Sequence, residues 1–65
     1  MVFRGDVQRR EFIAFWLGGG RVLAGMNVNV WDVNEVIQAI VRGGRPVDPG
    51  RLANVDVPLE EFAGD

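Results

Sequence analysis

The residue pattern predicts an α+β fold: a small antiparallel sheet built on a β-hairpin, one main helix packed on it, and short helical turns at the C-terminal end. Three features carry this expectation. Two runs rich in branched and aromatic residues, Glu11 to Leu17 and Arg21 to Val28, flank Gly18-Gly19-Gly20, as strands flank a hairpin loop. Val33, Val36, Ile37, Ile40 and Val41 fall on one helical stripe. Beyond Gly43-Gly44, Asp48-Pro49 and Val57-Pro58 read as starts of short helices.

A chain of 65 residues is one domain at most, residues 1–65, and near this size only about 60% of the unfolded chain's surface is buried. At the N-terminus Val2 and Phe3 fit a strand stub and Gly5-Asp6 a turn. These first residues look like the end of a longer element. Arg4-Gly5-Asp6 spells a cell-adhesion tripeptide, but three residues carry little specificity, and a tight turn is the simpler expectation.

With residues 18–20 as the loop, Leu17 faces Arg21, Trp16 faces Val22, Ala14 faces Ala24 and Phe12 faces Met26, unless a bulge shifts the pairing. One face is then Phe12, Ala14, Trp16, Val22, Ala24, Met26 and Val28. The other holds Ile13, Phe15 and Leu17, with Leu23, Gly25, Asn27, Asn29 and Trp31 from the second strand. A hairpin with one wet face alternates apolar and polar residues. This first strand is apolar on both sides, and the chain is too short to cover both with its own helices. Part of one face is expected to meet something outside the 65 residues, unless the C-terminal tail folds back over it.

Asp32-Val33-Asn34-Glu35 has capping-box spacing, so the helix is expected to begin at Asp32. Trp31, just before it, has two readings: a staple against Val36, or an aromatic surface offered to a partner. Asn27 and Asn29 likewise have two roles open, hydrogen bonding across an interface or capping loop backbone. Gly43-Gly44 ends the helix, with Arg42 at the negative end of its dipole. Arg45-Pro46-Val47 is extended, and Arg51-Leu52-Ala53 completes a helical turn after Pro49.

The chemistry available is narrow. The chain has no Cys, His, Ser, Thr, Tyr or Lys, which removes thiol and Ser–His–Asp nucleophiles, Schiff bases and the usual zinc ligands. The carboxylates Asp6, Glu11, Asp32, Glu35, Asp48, Asp56, Glu60, Glu61 and Asp65 serve as turn residues, caps or solvated ends, and a hairpin with one helix offers little cleft for an acid–base pair. Glycine spacing fits neither a dinucleotide fingerprint nor a P-loop. No catalytic, cofactor-binding or metal-ligating residue is assigned. A net charge of −2 argues against a nucleic-acid grip, and no apolar run approaches membrane-span length. With no cysteine and no signal-like N-terminus, a cytoplasmic setting is the default. Arg4, Arg9 and Arg10 form a loose basic cluster, either a solvated loop or a dock for an acidic protein.

Taken in order, Phe12-Ile13-Ala14-Phe15-Trp16-Leu17, Val22-Leu23-Ala24, Val28-Asn29, the capped helix ending near Gly43, Pro46-Val47-Asp48-Pro49 and Val57-Pro58-Leu59 resemble the C-terminal domain of FAD-dependent ferredoxin reductases, within the pyridine nucleotide-disulfide oxidoreductase superfamily. The resemblance spans nearly the whole chain and rests on order and spacing. It implies a parent enzyme that takes electrons from NADH or NADPH through FAD and passes them singly to a ferredoxin serving a cytochrome P450 or a Rieske-type oxygenase. FAD and the nicotinamide would be held by the parent's other domains and not by this segment, which the resemblance makes an excised and N-terminally truncated piece of the parent. The segment would brace the flavin domain and help shape the ferredoxin-docking edge. Asn29, Glu35 and Gln38 on this basis, with Asn27 and Trp31 from the reading of the residues above, are the expected interface residues. Asn29 matches the Asn that commonly ends the central strand, but Val30-Trp31 stands where relatives often have Arg-Pro. Glu35 and Gln38 lie on the outward side of the helix, where some relatives are basic. The alternative is a free-standing interaction domain that dimerises through its apolar face without a redox role.

Overall fold

The computed structural model describes residues 1–63; Asp65, counted above among the carboxylates, lies outside them. Three strands, β1 (Val2–Asp6), β2 (Glu11–Gly18) and β3 (Arg21–Val28), form one antiparallel sheet in the order β1-β2-β3. Helices α1 (Asn34–Gly43), α2 (Pro49–Ala53) and α3 (Glu60–Ala63) follow. The expected α+β architecture is what the chain adopts. Among the described residues no helix is long and apolar enough to cross a membrane.

β1 is a paired strand through Asp6, with Val2 opposite Phe15 and Asp6 opposite Glu11. The expected turn at Gly5-Asp6 instead lies at residues 7–10, closed by the Arg10 N–H donating to the Val7 carbonyl at 3.1 Å. Gly5 therefore sits within the ladder, at φ +114°. The adhesion-type reading of residues 4–6 fails because Arg4 is buried.

The β2–β3 connection is shorter than expected. Gly18 pairs with Arg21, leaving Gly19-Gly20 as a two-residue turn with φ +61° and +79°, the positive pair that a type I′ turn requires. Leu17 faces Val22, then the register shifts, and Trp16 faces Ala24 and Ala14 faces Met26. Leu23 is the extra residue of a β-bulge and is exposed. From Phe12 to Trp16 the pairing has slid by two residues from the expected one, which preserves face there, whereas at Leu17 it has slid by one, so that Arg21 and Val22 change face. The bulge turns Val22 inward beside Leu17.

The face that closes is the one carrying Ile13 and Phe15. With Val22 they form the core with Ile37 and Ile40 of α1, Leu52 of α2, Leu59, and Phe62 of α3. Each such fully buried apolar side chain contributes about 1.5–3 kcal/mol relative to exposure. α1 packs on β3, α2 on β1 and α3 on α1. Val33, Val36 and Val41 lie half-buried along the margin, as the stripe predicts. The close approach of α1 depends on Gly25: a Cβ there would lie 2.7 Å from Ile37 Cγ2 and 3.3 Å from Phe15 Cδ1. Phe15 stands directly opposite Gly25 and fills the space its missing side chain leaves. Gly25→Ala is expected to lower unfolding free energy by about 1–2 kcal/mol through overpacking. A fall in the urea midpoint at unchanged slope checks this; an unchanged midpoint would mean Ile37 yields without cost.

Arg4 is the main departure at the C-terminal end. Its residue exposure is 8%, and its guanidinium reaches three carbonyls of the tail. Nη1 donates to Leu52 at 3.1 Å and to Asn54 at 2.8 Å, and Nη2 donates to Val57. Burial pulls its pKa down, partly countered by Glu60, and an arginine so placed stays cationic. Arg9 instead pairs with Asp6 at 3.9 Å on the surface, so the basic cluster expected at Arg4, Arg9 and Arg10 does not form. Gly44, at φ +62°, caps α1 by donating to Ile40, and Val47 ties the following segment to the hairpin by donating to Gly20 at 2.8 Å. The Asp48 carboxylate accepts from the Gly50 N–H at 3.0 Å, with Pro49 leading α2, as expected. An exposed Arg51–Glu61 pair at 2.9 Å links α2 to α3.

Candidate docking surfaces

Two surfaces remain once the core is closed. The first is the outer face of the sheet. Register places its side chains in three rows: Gly5, Phe12 and Val28; Phe3, Ala14 and Met26; Trp16 and Ala24. Every position is glycine or apolar. Large and small residues alternate, so that Ala14 lies buried between Phe3 and Met26, while those two and Trp16 are 46%, 49% and 39% exposed. Phe3 and Phe12 meet edge to face with ring centroids 5.6 Å apart. The C-terminal tail packs on the opposite face, so the possibility that it folds back over this one is not realised.

The second surface surrounds the entry to α1. The helix begins at Asn34 with Val33 as its cap and no side-chain cap bond. The capping box expected at Asp32 does not form, because Asp32 is left-handed at φ +63°, whereas a cap residue needs extended backbone. Trp31 is 77% exposed, and with Val33 as the cap it does not hold the position directly before the cap that a staple residue takes. It borders a concavity with Asp32, Asn34 and Glu35. Glu35 and Gln38 are exposed on α1. Gln38 lines a shallow groove where α1 meets the bulged strand, with Leu23, Gly25, Val41 and Arg42.

The two asparagines hold this region in shape. Asn27 donates its side-chain amide to the Val30 carbonyl at 2.7 Å, and Asn29 donates to the Arg10 carbonyl at 2.9 Å. Asn29 adopts φ +53°, a conformation asparagine tolerates better than most residues. It follows β3, which in this sheet is an edge strand and not the central one. Of the five expected interface residues, Trp31, Glu35 and Gln38 therefore offer exposed side chains around α1. Asn27 and Asn29 bond to the loops that carry Trp31 and close the β1–β2 turn.

Among the described residues no group of three or more carboxylates gathers as a metal site requires. The glycine-rich segment is a strand-to-strand turn, not the strand-to-helix turn that cradles a pyrophosphate. That turn therefore does not supply a phosphate cradle of this kind, and no electron-transfer step is placed on it.

What the sequence reading missed were Arg4 as a buried anchor, Gly5 as a ladder position and Leu23 as a bulge. Only Gly5 left a usable signal, a glycine two residues after a strand stub. No solved structure matches the chain. The family model described as reductase C-terminal matches residues 1–63, which covers all three strands and the three helices, and the chain belongs to that reductase C-terminal domain family.

Proposed function

We propose that this chain serves as the C-terminal module of a flavoprotein that moves electrons from NADH or NADPH through FAD to a ferredoxin, which in turn supplies a cytochrome P450 or Rieske-type oxygenase in the cytoplasm. The flavin and nicotinamide sites belong to other domains of the reductase. This module braces the flavin domain and contributes Trp31, Glu35 and Gln38, with the loops held by Asn27 and Asn29, to the docking edge. The observation that supports the reading is the family match over residues 1–63, joined by a sheet with one face left open. Holding two redox centres in range is a catalytic contribution in itself, since positioning converts an encounter into a local event.

Because Asp32 and Glu35 border Trp31, the edge is not built to attract an acidic ferredoxin by charge; contact there depends on the indole. The test is NAD(P)H-dependent ferredoxin reduction by a ferredoxin reductase truncated before its C-terminal domain, with and without this chain. A several-fold rise on adding the chain is expected. No change at saturating chain would overturn the reading.

A second reading, a free-standing module that dimerises, draws on the same exposed Phe3, Trp16 and Met26. Sedimentation equilibrium showing a micromolar dimer with no effect on the truncated reductase would favour it.

A further inference from the structure

β3 pairs with β2 on one side and leaves its other side as an edge of the sheet. Arg21, at the start of the strand, is bridged to Pro46. Beyond it, no turn or loop of the described residues bonds its backbone to Ala24–Val28, so that edge presents unpaired N–H and C=O groups. Edges are guarded by bulges, charges or proline. The bulge at Leu23 is the guard here, and from Ala24 to Val28 the strand carries neither charge nor proline. Leu23 is 61% exposed and borders the groove in which Gln38, Val41 and Arg42 of α1 meet Ala24 and Gly25.

The helix beside this edge carries an ordered charge pattern. Glu35, Gln38 and Arg42 are exposed and, spaced three and then four residues apart, share one stripe of α1. An acid opens the stripe, an amide stands in its middle and a base closes it. Seven residues set Glu35 about 10 Å from Arg42 along the axis, too far for the two to pair. Among the described residues neither has an ion-pair partner.

Such a stripe is complementary to itself. Laid antiparallel to a second copy, Glu35 of each chain stands opposite Arg42 of the other, and the two Gln38 amides meet between them. A partner of a single charge sign would be repelled at one end of the stripe, whereas a copy is attracted at both. An edge strand run antiparallel to itself is complementary in the same way. One two-fold axis serves both contacts. A Cβ at Gly25 would lie 2.7 Å from Ile37, and Gln38 lines the groove with Gly25, so the middle of the stripe lies beside the middle of the strand.

We infer that two copies of this chain pair through the β3 edge and the Glu35, Gln38 and Arg42 stripe, joining three strands from each into one continuous sheet. The inference is independent of the reading proposed above. The pairing leaves the outer faces of both sheets uncovered. Glu35 and Gln38 belong also to the proposed docking edge, so pairing and docking there exclude one another.

Sedimentation equilibrium of the chain from about 10 μM to about 1 mM, the range of a small interface, tests this at low salt, where exposed charges are least screened. A monomer–dimer equilibrium is expected. Glu35→Arg and Arg42→Glu each set like charges opposite one another at both ends of the stripe. Each alone should weaken the dimer by about tenfold or more, with circular dichroism unchanged. Mixed in equal amounts, the two variants restore opposite charges at both ends and should form a heterodimer at least as tight as the parent dimer. A chain that stays monomeric throughout would overturn the inference. So would single variants that dimerise within about threefold of the parent, or folded variants whose mixture stays monomeric. A dimer abolished by Trp16→Glu and kept by Arg42→Glu would move the contact to the outer face and overturn it as well.

Discussion

Arg4→Ala is expected to lower unfolding free energy by about 3 kcal/mol or more, through the loss of charge-assisted hydrogen bonds worth about 1.5–3 kcal/mol each. The guanidinium serves the carbonyls of Leu52, Asn54 and Val57 together, and truncation leaves that segment without its donor. At roughly 0.05–0.15 kcal/mol per residue, a chain this size has only ~3–10 kcal/mol in total, so the loss is a large fraction of the whole. It should fall first on the segment from Leu52 to Phe62, whose Leu52, Leu59 and Phe62 complete the core. Arg4→Met keeps much of the apolar stem but no donor, so it should recover part of the packing and none of the anchoring. Arg4→Lys keeps the charge on a single ammonium without the two-nitrogen fork, and should fall between. Urea denaturation measures the size of the effect. Amide exchange at Leu59 and Phe62, accelerated ahead of that at Ile13 and Phe15, would show its place. Equal acceleration everywhere would mean the segment has no separate dependence on Arg4.

The second large effect is expected at Gly5. At φ +114° a Cβ would stand 2.5 Å from the Glu11 carbonyl oxygen and 3.0 Å from the Phe12 Cα. Both neighbours are backbone, so no side chain can rotate away. Backbone held at positive φ adds about 1–3 kcal/mol of strain for a residue bearing Cβ. Gly5→Ala should therefore cost at least about 2 kcal/mol, with β1 parting from β2 near the turn. Gly19 gives the contrast: it also has positive φ, but nothing lies within 4 Å of an added Cβ. Gly19→Asn should be close to neutral, because Asn-Gly suits a two-residue turn of this kind. Thermal unfolding of the two variants side by side checks the distinction. Similar losses in both would mean that φ alone, and not the backbone contact, sets the cost at Gly5.

The elements were legible because each is written in local patterning. The α1 stripe, the Gly43-Gly44 stop and the Asp48-Pro49 start depend on neighbours within a turn, and all appear where the residues place them. The hairpin was legible in parity but not in register. A two-glycine turn with a bulge at Leu23 and a three-glycine loop without one put nearly the same residues on each face. The choice between them depends on whether Val22 can join Leu17 against α1, a tertiary matter. The capping box failed for a similar reason: the chain leaves β3 through left-handed Asn29 and Asp32, and that path carries Asp32 out of capping geometry. Arg4 was least legible. An arginine beside glycine and aspartate reads as surface, and only the carbonyls some 50 residues later reveal why it is buried. For the candidate surfaces, exposure of Glu35 and Gln38 followed from helical phase, whereas Trp31 needed the structure to separate a staple from an open indole.

The account depends most on the outer face of the sheet having another domain as its natural cover. Trp31→Phe leaves Trp16 as the single indole, since the chain has two, and converts it into a reporter on that face. On titration with a flavin-loaded ferredoxin reductase lacking its C-terminal domain, Trp16 emission should shift to the blue and be quenched, saturably. Emission that keeps its starting wavelength and intensity through saturating reductase would contradict the account.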